Sequence, residues 1–203
     1  PVVDANYTVF PEKGGIQRDY FEFHDHYMPG ASDEKLLQNS VTMLSQAQHQ
    51  GDQLNVTVQI INDKTGHHLP TDVPIRQMLL IVNAYDADGN RLELVDGSTL
   101  PAWAGDYAGQ PGKAFAKVLR DEWTGEVPTA AYWRPVTVEE DTRQAALATD
   151  ITQYQFLLPA DKTAKVEVRL YFRRAFYDLA KIKGWDDPDI LMEEATIHVE
   201  TSQ

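Results

Sequence analysis

Two histidine-containing segments carry the side chains of this sequence that are best suited to chemistry. His24 and His26 flank Asp25, and His67 is followed directly by His68. Residues two apart in an extended segment point to the same side, so His24 and His26 could share a metal ion. The alternatives are a solvated polar arm for the first pair and a plain strand connection for the second.

Other catalytic arrangements find little support in the sequence. The chain has no cysteine, which excludes disulfides, thiolate metal sites and covalent attachment of a c-type haem by its own residues. It contains no Gly-x-Ser-x-Gly nucleophile motif, no His-Glu-x-x-His zinc motif and no phosphate-binding glycine loop. We therefore expect a protein that is not an enzyme. A hydrolase or metalloenzyme built on the histidines is the catalytic alternative.

The charge of the chain limits its partners. Its formal net charge is -13 and its isoelectric point is about 4.7, so we expect no nucleic-acid partner. No apolar run approaches the roughly 20 residues of a membrane helix, so we expect no membrane span. The sequence begins at Pro1 rather than Met, and we expect a processed product or a fragment of a longer polypeptide.

The His67–His68 loop lies between two segments with strand patterns. Leu54 to Ile60 alternates apolar and polar residues, which predicts a half-buried strand. Met78 to Tyr85 is almost entirely apolar, which predicts a central strand covered on both faces. Gly66 and Pro70 interrupt the segment between them, so the histidines are expected on a loop.

The N-terminal quarter of the chain has a different pattern. Residues 1–31 are irregular and rich in aromatic residues, which predicts an extended arm. Residues 32–51 are predicted as a helix that packs on the sandwich, capped by Ser32 and running from Asp33 to about Gln50. Its apolar residues recur at helical spacing: Leu36, Leu37, Val41, Met43, Leu44 and Ala47. Residues 52–203 are predicted to form one β-sandwich domain with long aromatic loops.

The remaining elements favour antiparallel pairing. A turn at Asp86–Asn90 resembles the start of a calcium loop but lacks the downstream Glu, so calcium is disfavoured. Short strands are predicted after it, with a helix at 174–183: residues 91–95, 113–119, 153–158, 165–172 and 195–200. The fold class is therefore mostly β, an antiparallel immunoglobulin-like β-sandwich with an N-terminal extended arm and one or two helices.

Five aromatic residues are expected in loops rather than in strands. They could stack on sugar rings, or they could pack against the ends of the sandwich or a neighbouring domain. These residues are Trp103, Tyr107, Trp123, Tyr132 and Trp133. They make a stand-alone extracellular binding sandwich, for carbohydrate or metal, the second functional hypothesis.

Several motifs together resemble the non-haem C-terminal region of multihaem c-type cytochromes. The most specific is Gly66-His67-His68-Leu69-Pro70-Thr71, preceded by Asn62 and followed by Ile75-Arg76 and the apolar strand at 78–85. Further segments agree in order over roughly residues 20–175: His26-x-x-x-Gly30, Pro111 to Leu119, Tyr132-Trp133-Arg134, Asp141-Thr142-Arg143 and Val168 to Arg173. Every Cys-x-x-Cys-His motif is absent, and Asp72 stands where a glycine commonly follows.

The resemblance implies a periplasmic or extracellular accessory domain in an electron-transfer system. Such a domain would pack on a multihaem cytochrome domain or subunit and could also form a homo-oligomer. A c-type haem receives one axial histidine from its own motif, and its second axial ligand can come from another domain. The candidates for a distal haem ligand are His26 and His67, followed by His24 and His68. The alternative for His67 is a structural hydrogen bond that fixes its loop.

Overall fold

The protein is described here by a computed structural model, which covers residues 10–16, 19, 30–71, 73–159 and 161–201. The chain divides into two compact units, residues 1–30 and residues 31–203. The described part of the first unit contains a short 3₁₀ helix, Pro11–Lys13. The predicted arm otherwise lies largely outside the described residues, including His24 and His26. None of the described helices has the length and apolar character needed to cross a membrane.

In its described residues, the second unit contains strands, two short α-helices and a 3₁₀ helix at Ala102–Tyr107. The helices are α1 (Glu34–Gln38) and α2 (Tyr177–Lys183). The strands are β1 (Thr42–Gln50), β2 (Gln53–Ile61), β3 (Gln77–Asp86), β4 (Leu94–Asp96), β5 (Gly112–Asp121), β6 (Val136–Asp141), β7 (Thr149–Leu157), β8 (Ala164–Arg173) and β9 (Ile190–Val199).

Two antiparallel sheets pack face to face. One has the order β1-β2-β7-β4 and the other the order β6-β5-β3-β8-β9. Alternate residues of β2, β3 and β8 fill the space between them, among them Val56, Val58, Leu80, Val82 and Val168. The predicted antiparallel β-sandwich is therefore confirmed. The predicted strands at 54–60, 78–85, 113–119, 153–158, 165–172 and 195–200 all lie within or overlap observed strands.

The central strand β3 is buried on both faces, as its apolar sequence predicts. Its second face carries Leu79 and Ile81, which pack against Leu100 and Ala104 from the segment between β4 and β5. The 3₁₀ helix in that segment contacts α2 closely at Gly105, which has a φ of 64°. A Cβ atom at this position would lie 2.2 Å from the ring of Tyr177.

The predicted helix at residues 32–51 is wrong beyond Gln38. Helix α1 is capped by Asp33 rather than Ser32, because the Asp33 carboxylate accepts a hydrogen bond from the Leu36 N–H at 2.8 Å. Residues 42–50 then form β1, which pairs with β2 through a tight turn at Gly51. Val41, Met43 and Ala47 also fit a period of two, whereas Leu44 does not and is exposed on β1. Pairing with β2 selects the extended form over helix propensity.

Two other segments differ from the sequence prediction. After the turn at Asp86–Asn90, the chain returns along β3 only as far as Leu92, whose N–H donates to the Ala84 oxygen at 2.8 Å. It then crosses to the other sheet, where β4 pairs with β7. The long segment at 120–150 contains the strand β6, which the sequence did not predict. This strand is exposed at nearly every residue, so it lacks the alternation that identifies a half-buried strand.

Candidate functional site

The His67–His68 loop connects β2 of one sheet to β3 of the other. A buried amide, Asn62, fixes its first half. The Asn62 Nδ2 group donates to the backbone oxygens of His67 at 2.8 Å and Gln144 at 3.2 Å, and its Oδ1 atom accepts from Thr65 Oγ1 at 2.6 Å. Asn62 has no exposed surface. Its side chain therefore fixes the loop by hydrogen bonds from a position that is out of contact with solvent.

A second buried amide, Gln144, fixes the far side of the loop. The backbone groups of Leu69 and Gln144 exchange hydrogen bonds at 2.8 and 2.7 Å. The Gln144 Nε2 group donates to the backbone oxygens of Ile60 at 3.3 Å and Ala148 at 2.7 Å. Leu69 and Pro70 are buried next to this contact. The segment before β7 thus holds the loop against the end of the sandwich.

His67 and His68 are exposed on this fixed loop. The Nδ1 atom of His67 lies 3.0 Å from the backbone oxygen of His68. A carbonyl oxygen can only accept, so this contact requires a proton on Nδ1. In the neutral ring the Nε2 atom then carries the lone pair, which is the form in which an imidazole ligates a metal. The loop therefore offers one exposed imidazole in a defined tautomer.

The other histidines have different surroundings. His24 and His26 lie outside the described residues, so their proposed role stays a prediction. His49 is not near a helix end, as its predicted helix would have placed it; it lies on β1 with Nε2 3.1 Å from the Leu158 oxygen. His198 is an exposed residue of β9. In the described part of the chain, no three His, Cys, Asp or Glu side chains come together as a metal-binding group.

The turn that resembles a calcium loop uses its own carboxylate. The Asp86 oxygens accept from the backbone N–H groups of Asp88 and Asn90 at 3.0 and 2.8 Å, and from Asn90 Nδ2 at 3.0 Å. The Asn90 side chain and backbone hydrogen bonds hold the pKa of Asp86 below its ordinary value. These contacts account for Asp86 as a turn residue.

The aromatic loop residues fall into two groups. Trp103 packs edge-on against Phe176 with ring centroids 5.3 Å apart, and Tyr107 stacks on Tyr171 at 5.8 Å. Three others are exposed: Trp123 at 71%, Tyr132 at 66% and Trp133 at 71%. We call these three residues the aromatic patch. Packing therefore explains the first two residues, and only the patch could contact a ligand or partner.

A buried carboxylate, Asp121, holds the loop that carries Trp123. It accepts from the backbone N–H groups of Trp123 at 2.8 Å and Thr124 at 3.3 Å, and it pairs with Arg134 at 2.9 Å. The Arg134 guanidinium in turn lies 5.8 Å from the Trp123 ring centroid. Burial raises the pKa of Asp121, but the hydrogen bonds from the two N–H groups and from Arg134 lower it by more. The pKa therefore lies below its ordinary value.

A groove of about 580 Å³ lies beside α2. Several charged residues line it, and four of them form ion pairs with one another: Arg173, Arg174, Asp187 and Asp189. Arg173 makes two hydrogen bonds to Asp189, at 2.8 and 2.7 Å, and one to the Ala104 oxygen. Arg174 pairs with Asp187 at 2.8 Å. These contacts fix the chain after β8, so we assign the groove a structural role.

The sequence did not indicate two of the residues that build these sites, Gln144 and Asp121. Arg134 belongs to the Tyr132-Trp133-Arg134 segment, but its pairing with Asp121 had no signal. Gln144 contacts the His67–His68 loop from far along the chain, and its hydrogen bond with Asn62 joins residues 82 positions apart. Asn62 had a signal, because it opens the motif that contains the histidines. Asp121 is one of 31 acidic residues, and nothing in its local sequence separates it from the exposed ones.

No protein-family model and no curated protein matches this chain. Among solved structures, it is similar to a penta-haem cytochrome c552 from Thermochromatium tepidum, with a TM-score of 0.65 and 22% sequence identity over 86% of this chain. The match covers 43% of that cytochrome, so this chain spans less than half of its length. A PapD-like domain of human CEP192 aligns over 92% of this chain and 97% of that domain, at a TM-score of 0.32 and 6% identity. The cytochrome comparison shows a shared β-sandwich fold.

Proposed function

We propose that this chain is a non-catalytic β-sandwich of a multihaem c-type cytochrome electron-transfer system, which packs on a haem-bearing domain outside the cytoplasm. The fold similarity to part of a penta-haem cytochrome is the observation that carries the proposal. The motif around His67 and His68 resembles the same class of protein. Because the chain has no cysteine, any haem in the system is attached to other material.

The His67–His68 loop supports a more specific role within this proposal. Asn62 and Gln144 hold this loop through the hydrogen bonds of the Asn62 amide and the backbone bonds between Leu69 and Gln144. A ligand on a fixed loop has less freedom to lose when it binds. The protonated Nδ1 of His67 leaves its Nε2 as the ligating atom. We therefore assign His67, ahead of His68, as the distal ligand offered to a partner's haem. Such a bond would orient the sandwich on the haem domain and close the haem edge to water.

The first test asks whether the partner exists. The chain, carrying an affinity tag, would be produced with the Cys-x-x-Cys-His polypeptide encoded in the same or an adjacent reading frame. The host would contain the c-type cytochrome maturation system. We expect the tagged chain to purify with a Soret band and with covalent haem on the partner polypeptide. A colourless chain in the presence of a matured haem partner would overturn the proposal.

The second test separates packing from ligation. His67→Ala should convert one haem of the complex from low spin to high spin in its absorption and electron paramagnetic resonance spectra. The matched control is His198→Ala, which removes another exposed imidazole. An unchanged spectrum with an intact complex would remove the ligand role from His67 and leave the packing role. A spin-state change in His68→Ala alone would move the assignment to His68.

One observation favours a second candidate, an extracellular sandwich that binds carbohydrate. Trp133 of the aromatic patch lines a groove of about 320 Å³ together with Glu126 and Arg134. Aromatic rings next to hydrogen-bonding side chains suit stacking on sugars. Retardation on polysaccharide affinity gels that is lost in Trp133→Ala, but not in Trp185→Ala, would support this candidate. Trp185 is also partly exposed but lies outside the patch.

A further inference from the structure

The two sheets end in four edge strands, and three of these are protected against pairing with another chain. β4 is three residues long. β6 carries Glu139, Glu140 and Asp141, and β9 carries Glu193 and Glu194. The ladders that join these three strands to their neighbours all contain a register shift. Short length, charge and irregularity are the usual features that prevent edge strands from pairing between molecules.

The fourth edge strand, β1, has none of these features. It is nine residues long, and its sequence, TMLSQAQHQ, contains no charged residue and no proline. It pairs with β2 in unbroken register from Thr42 opposite Ile61 to Gln50 opposite Gln53. A long, regular and uncharged edge is a template for a further strand. The contrast is strong because 24% of the chain is charged.

The hydrogen bonds of the neighbouring strands show which peptide groups of β1 face outward. Asn62 donates its N–H to the Ala148 oxygen and accepts from the Leu147 N–H, so its backbone points toward β7. Backbone direction alternates along a strand, so Ile61 and every second residue before it point toward β1. Their partners on β1 are Thr42, Leu44, Gln46, Gln48 and Gln50.

The four residues between these partners therefore point their N–H and C=O groups away from β2: Met43, Ser45, Ala47 and His49. In the described residues, no strand pairs with this side of β1. The side chains of the same four residues are half-buried toward the core, whereas Leu44, Gln46 and Gln48 are exposed on the outer face. Within the described part of the chain, this edge thus combines peptide groups that no strand pairs with and an outer face of uncharged side chains.

We propose that β1 is a homodimer interface, in which the β1 strands of two copies pair antiparallel about a two-fold axis at Gln46. This register places Met43 opposite His49 of the second copy, and Ser45 opposite Ala47 of the second copy. All four outward-facing residues then meet one another, and each such pair exchanges two hydrogen bonds. The four-stranded sheets of the two copies become one continuous sheet. A two-fold interface of this kind is self-complementary and closed.

The absence of charged residues on β1 makes it the edge at which a second copy can approach. A protein with a net charge of -13 repels its own copies over most of its surface. In the proposed register, Leu44 lies opposite Gln48 of the second copy, and Gln46 lies opposite its own equivalent. No like charges meet, so the pairing avoids the main obstacle to self-association. The proposal is independent of the haem-related function above.

Sedimentation equilibrium of the purified chain tests the proposal, with variants at the two-fold axis. Gln46→Lys and Gln46→Glu each place like charges opposite each other, and each should weaken the dimer by about fivefold or more. An equimolar mixture of the two variants should recover the dimer as a heterodimer, because opposite charges then meet. Gln153→Lys is the matched control. It lies in the same cross-strand row, since Gln46 is paired with Thr57 and Thr57 with Gln153, but two strands from the edge.

A backbone variant tests the assigned register. Ala47→Pro removes only an outward-facing N–H and leaves the β1–β2 ladder intact, so the monomer should keep its circular dichroism spectrum while the dimer weakens by about tenfold or more. In hydrogen exchange followed by NMR, the amides of Met43, Ser45, Ala47 and His49 should become protected as concentration rises.

Three outcomes would overturn the proposal. They are a monomeric wild type at all concentrations, a mixture of the two Gln46 variants that remains monomeric, and a dimer in which these four amides still exchange fast.

Discussion

The His67–His68 loop and the Trp123 loop are both held in place by a buried side chain, but the chemical group that holds them differs. Each exposes side chains at the surface, and each is fixed by a fully buried polar residue. Asn62 fixes the first with a neutral amide, and Asp121 fixes the second with a carboxylate paired to Arg134. A neutral anchor has no titration of its own, whereas a carboxylate anchor loses its partners when it is protonated. The two loops should therefore differ in their response to pH.

The largest effect is expected when the neutral anchor is removed. Asn62→Leu keeps the size of the side chain but removes the two hydrogen bonds that its amide donates to the His67 and Gln144 oxygens and the one that it accepts from Thr65. We expect a loss of about 2–4 kcal/mol in the free energy of unfolding, measured by urea denaturation. Asn55→Leu, at a half-exposed position on the same strand, should change it by less than about 0.5 kcal/mol. Equal losses in the two variants would show that Asn62 is not an anchor.

A smaller effect, dependent on pH, is expected for the charged anchor. The pKa of Asp121 is lowered in the folded state, so its contribution is present above the ordinary carboxyl pKa of about 3.9 and is lost as pH falls. Asp121→Asn should lower the Tm at neutral pH. The difference from wild type should shrink toward zero in strong acid.

The difference between Asn62→Leu and wild type should instead persist over the same pH range, because an amide does not titrate. Thermal denaturation of both variants at several pH values makes the comparison direct. A pH-independent Asp121→Asn deficit would show that the carboxylate charge does not fix the Trp123 loop.

The smallest effect on stability is expected for the side chains that the first loop presents. His67→Ala and His68→Ala remove exposed groups, so each should change the free energy of unfolding by less than about 0.5 kcal/mol. The loop would keep its conformation, which the unchanged amide chemical shifts of Asn62 and Gln144 would verify. A large loss of stability would indicate that these histidines hold the loop rather than serve a partner.

The sandwich could be predicted from the sequence wherever one face of a strand is buried and the other is not. Leu54 to Ile60 and Val166 to Phe172 alternate for this reason, and both are strands. The strand β1 could not be separated from a helix, because Met43 and Ala47, four residues apart, share a face in either conformation. Only the pairing with β2 decides between them. The strand β6 lies exposed at an edge, where no core imposes a pattern.

In the candidate site, the exposed histidines could be predicted from the sequence, but the residues that support their loop could not. Adjacent histidines next to Gly66 and Pro70 indicate a loop, and His67 and His68 lie on one. The contacts that fix the loop join Asn62 to Gln144 across the sequence, and spacing carries no information about such a pair. The sequence likewise did not indicate which of the aromatic loop residues are exposed. Trp103 and Trp133 have similar loop contexts, yet one packs on Phe176 and the other faces solvent.

The contact between Gly105 and Tyr177 determines which substitutions the region can accept. The space that a side chain at residue 105 would need is already filled by an aromatic ring, 2.2 Å from the missing Cβ. Any other residue would push α2 away from the 3₁₀ helix and break the hydrogen bond between Tyr177 and Asp106. Natural variants of this protein should therefore retain glycine at 105 even where neighbouring surface residues differ between variants. In a saturation library, position 105 should be among the least permissive sites outside the core.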